Sequence, residues 1–107
     1  MSDNYRLNAD HTVSKAPGLE GYSQDRNVAK STVNGCDVST VFLVLDHSWT
    51  VGSKPILFET MVFGRDDSQP LWRYHTWQEA VEGHGVICEA LKAGKSFDDL
   101  YELEIGA

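Results

Sequence analysis

The order of hydrophobic patterns along the chain predicts an α+β domain, in which an antiparallel meander sheet of about four strands packs one long amphipathic helix on one face. Three observations carry this prediction. Apolar runs of strand length occur at residues 38–45, 55–64 and 71–75. An Asn34-Gly35 pair before the first run predicts a hairpin, and therefore a further strand over 27–33. From Thr76 to Ala93 apolar residues recur every three or four positions, which is the helical period.

The Asn34-Gly35 pair also predicts how the first two strands of the sheet align. Both central residues of a type I′ turn take positive φ, which Asn tolerates and Gly adopts freely. A two-residue turn fixes the register, and the predicted partners are Val33 with Cys36, Ser31 with Val38 and Ala29 with Thr40. Residues 41–45 are apolar on both faces, so the second strand is predicted to be central.

The strand predicted over 55–64 contains one anomalous residue, Glu59. Pro55 is compatible with the start of a strand. If Leu45 pairs with Ile56, Glu59 stands opposite Phe42. Because a carboxylate in the middle of an apolar strand is costly, Glu59 is expected either at an open edge or held by a cation or by hydrogen-bond donors.

The helix predicted over 76–93 has recognisable ends. Thr76 and Glu79 have the spacing of a capping box, and Gly94 is suited to the C-terminal stop. Gly83 and Gly85 fall inside the helix, where each costs about 1 kcal/mol relative to Ala. We interpret them as positions of close approach to the sheet, with a kink as the alternative.

The two ends of the chain carry weaker patterns. Residues 1–26 are polar and rich in turn formers, which favours a mobile or loosely packed N-terminal arm, with a short hairpin around residues 8–10 as the alternative. Residues 27–107 are then the single α+β domain. After Gly94 we predict a short helical turn over 96–100 and an edge strand in which Tyr101, Leu103 and Ile105 alternate with glutamates.

Composition restricts the class of protein. The 107 residues include 9 Lys and Arg against 16 Asp and Glu, for a formal net charge of −7. This argues against a nucleic-acid partner, since phosphates are bound by clustered Lys and Arg, and favours solubility first and basic partners second. No apolar run is long enough to cross a membrane, and no secretory signal is evident, so a cytoplasmic location is expected. Because the cytoplasm is reducing, Cys36 and Cys88 are expected to be separate reduced thiols.

Five polar side chains form a candidate metal or acid–base site: Asp46, His47, Glu59, His75 and His84. His84 lies on the apolar stripe of the helix, where a core histidine with both nitrogens hydrogen-bonded is the more common case. The sequence lacks the C-x-x-C and H-E-x-x-H spacings that are typical of zinc sites, so we predict neither a metal nor a cofactor. We assign no catalytic residue. Trp49, in a polar loop, is the candidate for contact with a partner.

Three segments of the chain resemble a small protein family of tailed bacteriophages and prophages. That family has a TVFL-x-LDH segment, a variable loop, a proline, LFETMVFG and RY-x-T-x-x-EA-x-x-GH. The matching positions are 40–43, 45–47, Pro55, 57–64, 73–74, Thr76, 79–80 and 83–84, within a region that covers about half of the chain. The resemblance selects Asp46, His47, Glu59, Tyr74 and His84 as pattern positions. Val44 stands where the family is expected to have a small residue, often Gly.

The resemblance implies a phage genome and the cytoplasm of an infected bacterium, and it implies no activity. We expect a non-enzymatic accessory protein that acts through contacts with a host or phage protein. Two alternatives stay open. One is a small metal-dependent or acid–base enzyme that uses Asp46, His47, Glu59 and His84, and the other is a minor structural or assembly component of the phage that forms a homo-oligomer.

Overall fold

The computed structural model describes residues 4–48, 52–64 and 69–106, and it has the predicted α+β architecture. The elements are β1 (Tyr5–Leu7), β2 (Val13–Lys15), a 3-10 turn (Gly21–Ser23), β3 (Asn27–Val33), β4 (Cys36–Phe42), β5 (Phe58–Phe63), β6 (Leu71–Tyr74), α1 (Trp77–Lys92) and α2 (Phe97–Tyr101). β3 to β6 form an antiparallel meander sheet in chain order, and β1 and β2 form a separate hairpin. α1 packs on one face of the four-stranded sheet. Trp49 lies outside the described residues.

The register of β3 against β4 is the predicted one. The pairs are Val33 with Cys36, Ser31 with Val38 and Ala29 with Thr40. Asn34 and Gly35 have φ angles of 49° and 78°, as a type I′ turn requires. β4 lies between β3 and β5, which confirms that it is a central strand.

The predicted pairing of β4 with β5 is wrong by one residue. Glu59 faces Val41 rather than Phe42, and Phe42 faces Phe58. The side chains of Phe42 and Phe58 are fully buried under α1. Had Glu59 stood opposite Phe42, its carboxylate would point into this core, and a shift of one residue moves it to the other face of the sheet.

A γ-turn at the end of β4 accompanies this difference. The Leu45 N–H donates to the Leu43 carbonyl at 2.8 Å around Val44, whose φ is 71°. The turn removes Leu45 from the predicted ladder and pairs it instead with Asn4 in an isolated antiparallel bridge. The chain after β4 therefore meets the N-terminal segment at this point.

The N-terminal segment packs more closely than a loose arm. β1 and β2 form the short hairpin that the sequence offered as the alternative. Tyr5 is buried, and its N–H donates to the Val44 carbonyl at 2.8 Å. The Ala16 N–H donates to the Asn4 carbonyl at 3.0 Å and fastens the base of the hairpin. Tyr5 thus packs in the same core as the residues after 27.

α1 begins and ends as predicted. The Thr76 hydroxyl accepts the Glu79 N–H at 3.1 Å, and the Glu79 carboxylate accepts the Thr76 N–H at 3.1 Å, so both halves of the capping box are formed. Gly94, which follows the last turn, has a φ of 83°. The helix therefore has the length that its sequence signals define.

The C-terminal tail is not the edge strand that the sequence predicts. A second capping box starts α2, which continues to Tyr101. Phe97 and Leu100 are buried, so this helical turn is anchored in the core and Tyr101 is helical rather than extended. Within residues 102–106 there is no strand pairing, and Gly106 lies against the carbonyl of Arg73 at the outer side of β6.

The core lies between α1 and the inner face of the sheet. Its largest fully buried side chains are Tyr74, Phe42, Phe58, Leu57, Ile87, Leu91 and Leu100. Cys36 and Cys88 are buried as free thiols, as predicted. None of the helices in the described ranges has both the length and the apolar character needed to span a bilayer.

Candidate functional site

The polar residues predicted as one site occupy three separate places. Glu59 lies on the outer face of the sheet, Tyr74 and His84 lie between the sheet and α1, and Asp46, His47 and His75 lie at the end of the sheet around residues 55–56. In the described part of the chain, no three His, Cys, Asp or Glu side chains are placed to hold a metal ion. The sheet itself separates Glu59 from His84, so these residues share no common site.

Asp46 fixes the start of the loop between β4 and β5. Its carboxylate accepts the Ser48 N–H at 2.8 Å, the Ser48 hydroxyl at 3.0 Å and the Ile56 N–H at 2.9 Å. Burial raises the pKa of Asp46, but these hydrogen bonds and the neighbouring His47 outweigh burial and lower the pKa below its usual value. Asp46 is therefore an ionised anchor whose two oxygens are both engaged.

The two histidines at this end of the sheet are held by contacts with residues 55–56. The backbone N–H of His47 donates to the Ile56 carbonyl at 3.0 Å. His75 Nδ1 lies 3.0 Å from the Pro55 carbonyl, which can only accept a hydrogen bond, so Nδ1 carries a proton. A neutral His75 therefore keeps its lone pair on Nε2.

Glu59 is held by a cation, which is one of the outcomes that the sequence predicts. Arg73 stands directly opposite Glu59 across β5 and β6, and its Nε donates to Glu59 Oε2 at 2.9 Å. The Glu59 side chain is 12% exposed and the Arg73 side chain 34%. The pair compensates a carboxylate that would otherwise stand uncompensated among apolar neighbours.

His84 lies at the centre of a buried hydrogen-bonded chain between α1 and the sheet. Its Nδ1 is 2.7 Å from Thr40 Oγ1, and its Nε2 is 2.9 Å from Ser31 Oγ. The Thr40 hydroxyl bonds the Thr60 hydroxyl, and Tyr74 Oη donates to Thr60 Oγ1 at 3.0 Å. Thr40, Thr60 and Tyr74 are fully buried, and His84 is 7% exposed. We call these five residues the hydroxyl–imidazole chain.

One arrangement of donors and acceptors satisfies the whole hydroxyl–imidazole chain with a neutral His84. Because Tyr74 donates to Thr60, Thr60 can donate to Thr40 and Thr40 to Nδ1, which leaves Nε2–H to donate to Ser31. A neutral His84 thus satisfies every member. Burial lowers the pKa of His84, and burial raises the pKa of Tyr74 against a smaller opposing effect of its bond to Thr60. His84 is the core histidine with both nitrogens bonded.

Gly83 allows α1 to approach this chain. A Cβ at Gly83 would overlap the ring edge and the hydroxyl of Tyr74, whereas a Cβ at Gly85 would meet open space. The interpretation of close approach is therefore confirmed for Gly83 and wrong for Gly85.

Sequence reasoning missed Ser31, Thr40 and Thr60. All three lie on the inner face, and Thr40 and Thr60 stand opposite each other in β4 and β5. The sequence did contain a signal for them, because each of three strands has a polar residue at a position that points towards the apolar side of the helix, where His84 lies. Without the β4–β5 register, the sequence could not bring them together.

The face of the sheet that points away from α1 is partly or fully exposed along all four strands. We call it the open face, and its side chains are Lys30, Thr32, Asp37, Ser39, Val41, Glu59, Met61, Phe63, Leu71 and Arg73. Its centre is apolar, with Val41, Met61 and Phe63 half-buried and Leu71 41% exposed. The face carries two positive and two negative side chains, so it is neutral on a protein with a net charge of −7.

No protein-family model, no curated protein and no solved structure matches the chain. The site is therefore interpreted from its own geometry.

Proposed function

We propose that this protein is a non-catalytic module that binds a partner protein through the open face. The observation that carries the proposal is the outward row of β5, in which Met61 and Phe63 follow Glu59. In an antiparallel sheet with one solvated face, these positions are usually polar. Apolar side chains grouped on an exposed surface are typical of an interaction site.

The arrangement of charges supports contact at this face rather than elsewhere. Glu59 and Arg73 neutralise each other beside the apolar centre, so a partner that covers them buries a satisfied pair. The residues outside the open face carry the whole net negative charge of the chain. A neutral apolar patch with polar groups around it has the composition of a protein-binding surface.

The outer edge of β3 argues against simple extension of the sheet by a second copy. Lys30 is exposed on this edge strand, and an antiparallel β3–β3 pair centred near it would bring two lysines together. Lysine on an edge strand is a common protection against such pairing. Docking onto the open face avoids this repulsion.

The resemblance to small proteins of tailed phages supports a host or phage protein as the partner, in the cytoplasm of an infected bacterium. The enzymatic alternative lacks support, since Asp46, Glu59 and His84 have separate structural partners. The alternative of an assembly component that forms a homo-oligomer predicts self-contact at the same face, and one experiment distinguishes the two.

A photo-reactive phenylalanine analogue at Phe63 tests the proposal in infected cells, with the same analogue at Tyr101, exposed on α2, as the control. We expect a cross-link to a different protein from position 63 only. Met61→Lys should abolish it, whereas Val81→Lys, on the exposed side of α1, should not. Cross-links only between copies of this chain would support the assembly alternative and overturn the proposal, as would equal or absent cross-linking at both positions.

A further inference from the structure

A cleft of about 510 Å³ lies between the loop of the β1–β2 hairpin and the start of α1. The residues that give it its character are Asp10, His11, Val13, Phe58, His75 and Trp77. Its volume is in the range of sites that hold a small molecule or one large side chain. The cleft is on the helix side of the sheet end and is separate from the open face.

Two aromatic contacts form the wall of the cleft. The His11 ring stacks on Trp77 with centroids 3.7 Å apart and planes inclined by 11°. Phe58 meets Trp77 edge-on, with centroids 6.4 Å apart and planes at 86°. These rings provide apolar surface on which the aliphatic part of a side chain can pack.

The cleft contains two groups that can accept hydrogen bonds from a ligand, the Asp10 carboxylate and the His75 imidazole. Asp10 Oδ1 accepts the Thr12 N–H at 3.1 Å and the Thr12 hydroxyl, and these bonds lower the pKa of Asp10, so the carboxylate is ionised. Both bonds from Thr12 go to Oδ1, so Thr12 leaves Oδ2 for a ligand. His75 adds the Nε2 lone pair, because its Nδ1–H is used by the Pro55 carbonyl.

From this combination we infer that the cleft binds the arginine side chain of a partner protein. A guanidinium group is a planar cation with five N–H donors, so it suits a carboxylate and an imidazole lone pair beside an aromatic wall. Its aliphatic stem fits against Val13 and Phe58. The net charge of −7 attracts basic segments towards this surface. This inference is independent of the open face and adds a second recognition site.

An NMR titration of the isotope-labelled protein with N-acetyl-Gly-Arg-Gly-amide tests the inference. The matched control ligand contains citrulline, which has the shape of arginine without its charge. We expect the arginine peptide to shift the signals of the Trp77 indole and of residues 10–13, and the citrulline peptide to bind at least about fivefold more weakly.

Two variants separate a specific site from general attraction. Asp10→Asn keeps an oxygen for Thr12 and should weaken the arginine peptide by about fivefold, whereas Asp98→Asn, an equal charge change on the exposed side of α2, should leave its affinity unchanged. Equal effects of the two variants, equal binding of citrulline, no binding at millimolar peptide, or shifts confined to the open face would each overturn the inference. None of these results depends on the cross-linking experiment.

Discussion

Two glycines that are two residues apart in α1 are predicted to respond in opposite directions to the same substitution. Gly85 faces open space, and Gly83 faces Tyr74. Gly85→Ala should therefore stabilise the protein, and Gly83→Ala should destabilise it. The pair isolates the effect of the sheet contact, because the gain in helix propensity is the same at both positions.

The magnitude follows from the packing around Tyr74. Replacing a helical Gly with Ala gains about 1 kcal/mol where the methyl group is free. At Gly83 the new Cβ would lie 2.6 Å from Tyr74 Cζ and still closer to Cε1 and Oη. The ring is fully buried and its hydroxyl is bonded to Thr60, so it cannot turn aside. We expect a net loss of about 1–3 kcal/mol for Gly83→Ala.

Urea unfolding followed by circular dichroism measures both free energies of unfolding, and an unchanged m-value would show that the folded state is intact. The difference between the two variants should be about 2–4 kcal/mol. If Gly83→Ala were as stable as Gly85→Ala, the contact between α1 and Tyr74 described above would be refuted.

Two further predictions concern His84 and Glu59. Because burial holds the pKa of His84 in the folded protein below its usual 6.5, the stability from a neutral His84 is fully present above pH 6.5 and is lost as the pH falls below it. Urea unfolding at a series of pH values from 7 to about 5 should therefore show a decreasing free energy of unfolding, and His84→Gln should make that decrease smaller. An equal decrease in the two proteins would contradict a neutral buried imidazole. Arg73→Leu should lower the free energy of unfolding by about 1–2 kcal/mol, because it leaves Glu59 unpaired. The double variant with Glu59→Leu should recover most of this loss in the same unfolding assay. Additive losses in the double variant would contradict the pairing.

Local signals account for the parts of the fold that the sequence predicts correctly. Asn34 and Gly35 set the β3–β4 register because a two-residue turn allows only one alignment. Thr76 and Glu79 define the start of α1 because their side chains bond backbone groups one turn away. In both cases the chemistry lies within a few residues, so no knowledge of distant contacts is needed.

The candidate site depends on distant contacts, and there the sequence is less informative. It indicates that Glu59 needs a partner, but Arg73 is identified only when β5 and β6 are aligned. The sequence predicts that His84 faces the sheet from α1. It does not identify Thr40 and Ser31, which bond His84 from two strands 44 and 53 residues earlier in the chain. The predicted grouping of Glu59 with His84 is wrong, because these two residues lie on opposite sides of one sheet.

Val44 connects the misjudged register, the packed N-terminal hairpin and the cleft. Valine favours strands, so nothing in its own chemistry indicates a φ of 71°, a conformation that costs a β-branched residue about 1–3 kcal/mol. Gly would adopt this positive φ without strain. The γ-turn ends β4 early and presents the Val44 carbonyl to the N–H of Tyr5. That bond helps to hold the hairpin whose loop places His11 on Trp77, so the turn at Val44 is linked to the wall of the cleft through one hydrogen bond.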